Sequence, residues 1–197
     1  DLYNSFADLA TELVDAHKVT DDYEEFKLDV IRAFAIETSI TDSDFKSQSP
    51  DDIATTLYGE ITTFYKRKGE SLINATLPIL RRMHEDNPET LRKVAINFSN
   101  GQRIIVVVAD ILKAIETNGR SLVKELEKAV SLGFIDEAWK VHLRRMDELK
   151  QSVQMASYEQ KDPLLIYKKE AYGLFREMLI EMNREITSFL FRAAIVV

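Results

Sequence analysis

The chain has 197 residues, of which 45% are hydrophobic and 30% are charged, and its formal net charge is −7. This length is enough to bury a hydrophobic core, and it favours one or two domains. The acidic balance excludes a nucleic-acid-binding module, because phosphate contacts need a basic face. Cysteine is absent, so the chain holds neither a disulfide nor a thiolate zinc site.

Helix-spaced apolar residues open the chain. Residues 2–16 carry them at steps of three and four, which predicts a first helix. Asp21 or Asp22 is placed to cap a second helix, which buries Phe26 and Phe34. Residues 38–49 are rich in Ser, Thr and Asp, and this composition predicts a loop.

A long helix is predicted to follow that loop. Ser49 suits the N-cap, and Pro50 suits the first helical position, where no amide hydrogen is needed. Pro78 should kink or divide this helix, because it lacks an amide hydrogen and crowds the carbonyl of Asn74.

The apolar period then changes from helical to alternating. Val94, Ile96 and Phe98 alternate with polar or small residues, Asn100-Gly101 is a strong turn signal, and residues 104–108 are strongly β-branched. A small β-hairpin near residues 93–108 is therefore predicted. Helix resumes near residue 109, stops at residues 118–119, and restarts near residue 121.

Two long amphipathic patterns run back to back from residue 134 to 192 and predict an antiparallel helical hairpin. Between its arms, Asp162 suits an N-cap and Pro163 the first helical position, so the second arm should begin there. Each arm carries one apolar stripe: Ile135, Trp139, His142, Met146, Leu149 and Val153 on the first, and Tyr172, Phe175, Leu179, Met182, Ile186 and Phe189 on the second. The fold class is mainly α.

This hairpin carries a resemblance to a known family. The resemblance lies in four runs of residues, which are Ile135 to Leu143, Met146 to Leu149, Tyr158 to Leu164, and Tyr167-Lys168. They resemble the C-terminal part of the SecA family of bacterial preprotein translocase motors, and the strand-turn-strand insert is most similar to SecA from the Bacteroidetes. The resemblance implies a helical wing over residues 1–118, and a helical scaffold over 119–197 whose two-helix finger spans 134–192.

The resemblance also implies a role for the turn of the hairpin. Tyr158 matches the aromatic residue that the family places at its finger tip, where it contacts the translocating polypeptide at the SecYEG channel. Its neighbours would share that contact: Met155, Ala156, Ser157, Glu159, Gln160 and Lys161. Many family members carry a basic residue and often Gly just before this tyrosine, and this chain does not, which puts a charge-based tip contact in doubt.

No phosphate-binding loop is present in the sequence. None of the six glycines falls in the G-x-x-x-x-G-K-[ST] pattern, so the chain cannot form a Walker A loop. The resemblance implies that the intact protein hydrolyses ATP with Mg²⁺ through motor domains that this chain lacks. We therefore expect a chain with no catalytic residues, no cofactor of its own and no ATPase activity.

Histidines offer no metal site, because His17, His84 and His142 are far apart and lack metal-ligand spacing. This spacing also counts against a metal-carboxylate bundle enzyme. In the hairpin, His142 is expected to be a buried, hydrogen-bonded structural imidazole, and Trp139 is expected to lie in the core. Together with Asp162 and Pro163 they are the predicted structural residues of the hairpin.

The two ends of the chain and its hydropathy bear on its context in the cell. The sequence begins at Asp1, with neither an initiator Met nor a signal pattern, and its apolar residues 189–197 suggest a missing neighbour. We therefore expect the chain to be a piece of a longer protein. No stretch is long enough to span a bilayer. The resemblance implies a cytoplasmic protein, peripheral on the inner membrane, with SecYEG, preprotein and the missing motor domains as partners. The alternative is a free-standing helical adaptor that binds a partner helix.

Overall fold

The computed structural model describes residues 2–86, 92–156 and 162–196, and this part of the chain is mainly helical, as predicted. Its contacts form two compact units, residues 1–130 with 187–197 (unit 1) and residues 131–186 (unit 2). The elements are α1 (Leu2–Thr20), α2 (Tyr23–Phe34), α3 (Asp42–Ser47), α4 (Pro50–Asp86), β1 (Lys93–Ser99), β2 (Ile104–Asp110), α5 (Ile111–Glu116), α6 (Arg120–Ala156), α7 (Pro163–Arg192) and β3 (Ala194–Val196). The predicted boundary between wing and scaffold near residue 118 stays a prediction, since it concerns family domains rather than compact units.

The first helices begin at side-chain caps. Asp22 accepts a hydrogen bond from the Glu25 amide at 3.0 Å and starts α2, which confirms the prediction. The predicted loop at 38–49 is wrong, because α3 lies within it. Thr41 and Asp44 form a capping box, in which each side chain accepts from the other residue's amide, and this box stabilises a short helix that polar composition alone conceals.

Helix α4 begins as predicted, with the Asp52 amide donating to Ser49 Oγ at 3.2 Å and Pro50 in the first turn. The helix then runs unbroken to Asp86, so Pro78 does not divide it, and a kink at Pro78 stays a prediction. One missing hydrogen bond is tolerated there because buried Thr76 and Leu80 on either side hold the helix against its neighbours.

The predicted β-hairpin is present, and β1 pairs with β2 antiparallel from Lys93–Asp110 to Ser99–Ile104. The turn spans residues 100–103 rather than two residues. Asn100 Oδ1 accepts from the amides of Gln102 and Arg103, and Gly101 takes a φ of +90°, which explains the glycine there.

A third strand, β3, was not predicted. It pairs with β1 antiparallel, with Phe98 opposite Ile195, and gives a sheet of order β2-β1-β3. Val94 of β1 packs against a cluster of apolar residues from α4 and α5, which are Leu80, Met83, Ile111, Ala114 and Ile115.

An aromatic cluster fills the core of unit 1 around Phe191, which is 1% exposed. Its ring centroid lies 5.2 Å from that of Phe6, 5.5 Å from that of Phe34 and 5.3 Å from that of Tyr65. The expectation that a missing neighbour covers the apolar end is wrong for residues 189–193, because α1, α2 and α4 cover it within the same chain.

Candidate functional site

The second arm of the hairpin starts at the predicted cap. Asp162 Oδ1 accepts from the amides of Leu164 at 2.9 Å and Leu165 at 3.4 Å, and Pro163 occupies the first position of α7. The carboxylate satisfies amides that the helix itself leaves free, which explains why α7 begins here. The prediction for both residues is confirmed.

Within unit 2 the two arms contact each other through side chains of α6 and α7. The ring centroids of His142 and Phe175 are 5.9 Å apart, and Arg145 Nη1 lies 3.5 Å from Glu177 Oε2. This ion pair is largely solvent-exposed, so it contributes little to stability and mainly reports the register.

Chain connectivity makes the pair of helices antiparallel. Residue 142 lies about 21 Å before the end of α6, and residue 175 lies about 18 Å after the start of α7. Parallel helices touching at these residues would leave about 39 Å between the two ends, whereas residues 157–162 can reach at most about 25 Å. The predicted antiparallel hairpin is therefore the arrangement that the contacts allow.

The buried face of the hairpin differs in part from the predicted stripes. Trp139 is 47% exposed and Tyr172 is 64% exposed, so their placement in the core is wrong. Helix α6 carries apolar residues on several faces, including Val141 and Leu143, and periodicity alone therefore cannot select the face that packs. Among the side chains of unit 2 that the structure describes, the buried ones are Phe134, His142, Val153, Met178 and Ile186.

His142 is buried, at 6% exposure, and its ring lies 5.6 Å from that of Trp139. Burial confirms the prediction of a core histidine. The prediction of a hydrogen-bonded imidazole is wrong for Nδ1, which has no partner among the described residues. The imidazole of His142 contacts the rings of Trp139 and Phe175, and its role as a structural side chain rather than a base or ligand stays a prediction.

Most of the predicted tip residues lie in the part of the chain that the structure does not describe. Tyr158, with Ser157, Glu159, Gln160 and Lys161, falls outside the described residues. Met155 and Ala156 form the last turn of α6, where the backbone is described.

The first arm of the helical hairpin is long. From Phe134 to Ala156 the first arm is about 34 Å long at the usual helical rise. Over residues 2–86, 92–156 and 162–196 there is no group of three metal-ligating side chains. The same ranges contain no helix with the length and hydropathy to cross a membrane.

Two polar contacts of unit 1 were missed by the sequence analysis. Tyr65 donates to Glu127 across a 62-residue separation at 2.9 Å, and Arg192 donates to the carbonyls of Ile31 and Arg32 from 160 or more residues away. No local pattern signals such pairs, because each partner reads alone as an ordinary polar residue of an amphipathic helix.

The chain is similar to one family of known proteins over nearly its whole length. The profile of the SecA wing and scaffold domain matches residues 1–194. The chain is 38% identical over 195 residues to protein translocase subunit SecA of Christiangramia forsetii, which covers 99% of the chain and 17% of that protein. It is 40% identical to the subunit of Porphyromonas gingivalis W83, with 18% of that protein covered, and 39% identical to that of Parabacteroides distasonis, with 17% covered. The chain thus spans less than a fifth of the relatives that it matches, and these relatives come from the Bacteroidetes, as expected. The chain belongs to the SecA wing and scaffold domain family.

Proposed function

We propose that this chain is the wing and scaffold part of an ATP-driven protein translocase, and that its hairpin passes motion from motor domains to unfolded preprotein at the SecYEG channel. The observation that carries the proposal is the pair of antiparallel helices in unit 2, which contact each other at His142 and Phe175. A helix pair resists bending better than one helix, so displacement at its base moves its tip.

Tyr158 is the proposed point of contact with the preprotein. A flat side chain with an apolar ring and a polar hydroxyl can contact many sequences without requiring a particular partner. Its neighbours Met155, Ala156, Ser157, Glu159, Gln160 and Lys161 would complete the contact with the polypeptide or the channel. Because no basic residue directly precedes Tyr158, the contact is proposed to depend on the ring rather than on charge.

Nucleotide chemistry is assigned to the rest of the protein. This chain has no Walker A pattern, so we propose that ATP and Mg²⁺ bind elsewhere in the intact translocase. The intact protein would work at the cytoplasmic side of the inner membrane, as a peripheral partner of the channel. The purified chain should show no Mg²⁺-dependent ATP turnover, and measurable turnover would contradict this assignment.

The alternative, a free-standing adaptor that binds a partner helix, is less well supported. Nearly the whole chain matches less than a fifth of each translocase subunit, and the family profile spans both units. This coverage supports the interpretation that the chain is part of a larger protein rather than an independent module.

Crosslinking from the tip tests the proposal. In the intact protein, with other cysteines removed, Tyr158→Cys should crosslink to SecYEG or to a stalled preprotein in the presence of ATP. The matched control is Glu181→Cys, which is exposed on α7 about 27 Å along the helix from its start. Equal crosslinking from both positions, or none from position 158, would refute the proposed tip contact.

A further inference from the structure

Strand β2 lies at the edge of the sheet in unit 1. It pairs with β1 on one side, and no described residue pairs with its other side. An edge strand exposes a row of unpaired N–H and C=O groups, which can bind another strand.

The hydrogen bonds at the two ends of the β1–β2 ladder show which backbone groups of β2 face outward. The Asn100 amide donates to the Arg103 carbonyl, and the Ile111 amide donates to the Arg92 carbonyl, in the register that joins β1 to β2. Hydrogen-bonded pairs alternate along an antiparallel ladder, so residues 105, 107 and 109 bond to β1. The amides and carbonyls of Ile104, Val106 and Val108 therefore point to the open edge.

The same three residues also present apolar side chains to solvent. Ile104 is 64% exposed, Val106 is 55% exposed and Val108 is 57% exposed, all on the outer face of the sheet. Exposed edge strands usually carry Lys, Pro or an inward charge that prevents pairing. Residues 104–109 contain none of these.

We propose that β2 is a self-pairing edge, through which two copies of this chain associate with β2 antiparallel to β2. Centred on Val106, this pairing sets Val106 opposite Val106, and Ile104 opposite Val108 twice. The arrangement is isologous, because one two-fold axis perpendicular to the sheet relates the copies. Every outward N–H and C=O of these residues gains a partner, and the exposed β-branched side chains of the two copies contact each other.

Charge at the ends of the strand permits this register. Antiparallel pairing about Val106 places Asp110 of one copy opposite uncharged Gln102 of the other, so like charges do not meet across the ladder. The net charge of −7 on each copy opposes association at long range. Raising the salt concentration should therefore strengthen the pairing, since it screens this repulsion.

The interface is small, which decides how the dimer is measured. A seven-residue strand is well below the roughly 20–30 residues a side of a standard interface. A reversible dimer is expected, which sedimentation velocity should detect as a mass increase between about 10 µM and about 1 mM. Val106→Lys should abolish the increase, because two ammonium groups would meet on the axis. Val19→Lys is the matched control, since Val19 is 88% exposed on α1 and should leave the increase unchanged.

Oxidative crosslinking tests the register itself. The chain has no cysteine, so Val106→Cys introduces a unique thiol. Hydrogen-bonded antiparallel pairs place Cα atoms about 5.5 Å apart, within the range of a disulfide. Val106→Cys should form a covalent dimer at least tenfold faster than Val19→Cys. A chain that stays monomeric to about 1 mM, or equal crosslinking rates for the two variants, would overturn the proposal and leave β2 as an edge for a strand of another protein.

Discussion

At the scale of single residues, Arg192 joins two parts of unit 1 that are far apart in the chain. Its Nη2 donates to the carbonyls of Ile31 at 3.0 Å and Arg32 at 2.6 Å, at the C-terminal end of α2. Its Nη1 donates to Ser188 one turn earlier on α7. A cation beside the last carbonyls of a helix also interacts favourably with the helix dipole. The last turn of α7 is thereby fixed against α2.

Replacing Arg192 by Met should remove these bonds while keeping an unbranched apolar side chain of comparable length. We expect a loss of about 1.5–3 kcal/mol in the free energy of unfolding, because hydrogen bonds to charged groups are among the stronger ones. Urea denaturation followed by circular dichroism measures the loss. Arg176→Met, at an exposed position of α7, is the control and should change stability by less than about 0.5 kcal/mol. Equal losses in both variants would contradict the role of Arg192.

A second long-range contact, between Tyr65 and Glu127, involves two groups with shifted pKa values. Burial raises the pKa of the Tyr65 hydroxyl, and the nearby Glu127 carboxylate raises it further. Burial also raises the pKa of Glu127, although the hydrogen bond from Tyr65 acts in the opposite direction. A carboxyl with a raised pKa binds its proton more tightly in the folded state than in the unfolded state, so folding is favoured most where Glu127 is protonated.

This linkage predicts how pH acts on stability. The contribution of Glu127 is fully present below its unfolded pKa, near 4.5, and is lost as the pH rises through the higher folded value. Glu127→Gln keeps an acceptor for Tyr65 but cannot ionise, so the stability of the variant relative to the parent should increase from pH 4 to pH 7. Urea denaturation at a series of pH values measures the trend. Glu116→Gln controls for the loss of one exposed carboxylate, and a parallel trend in that variant would refute the assignment to Glu127.

At the scale of elements, two glycines of similar appearance in the sequence have different roles. Gly119 joins α5 to α6 with a φ of +81°, and a Cβ there would lie 2.5 Å from Ile73 Cγ2. Gly133 lies inside α6, where a Cβ would meet nothing within 4 Å. Only the first therefore needs to be glycine.

Alanine at each position should separate these roles. Gly119→Ala should destabilise by more than about 1 kcal/mol, because an L-residue is strained at this φ and its methyl group would overlap Ile73. Gly133→Ala should stabilise by about 0.5–1 kcal/mol through the gain in helix propensity. Thermal midpoints of the two variants, measured beside the parent, test this, and a shift of both in the same direction would contradict it.

The helical hairpin of α6 and α7 shows that an apolar pattern does not by itself determine which side chains pack between two helices. Met178 is buried while Tyr172, at a stripe position in the sequence, is mostly exposed. Helices α6 and α7 each carry more apolar residues than one narrow seam can bury. Which of them pack depends on how the partner helix is rotated, and that rotation is a property of the pair.

At the scale of the whole molecule, β3 closes a long loop of chain. Residues 194–196 return to β1, about 100 residues earlier, and pair Asn97 with Val196 and Ser99 with Ala194. Because the even-numbered residues of β1 bond to β2, the amides of Asn97 and Ser99 face β3. Residues 194–196 thus belong to the same sheet as the β-hairpin of β1 and β2.

Deleting residues 194–197 should release those two amides selectively. Hydrogen exchange measured by NMR should accelerate at Asn97 and Ser99 by on the order of tenfold, which corresponds to about 1.4 kcal/mol of opening free energy. The amides of Ile96 and Phe98 bond to β2 and serve as internal controls. Equal acceleration at all four amides would indicate general destabilisation, and no acceleration would show that β3 does not hold the edge.

The sequence by itself determined the features that depend on neighbouring residues. The starts of α2, α4 and α7 follow from Asp22, Ser49 and Asp162, because a cap acts within one helical turn. Alternating β-branched residues around Asn100 determined the β-hairpin of β1 and β2. Rare residues in one register of the helical hairpin indicated the family, which the comparison with known proteins confirms.

Only the tertiary structure decided which surfaces meet. The burial of Phe191, the capping of α2 by Arg192, the exposure of Trp139 and the pairing of β3 with β1 each join residues that are distant in the chain or select one face among several apolar faces. Local propensity carries no information about such choices, because their free energy arises when separate elements pack and exclude water together.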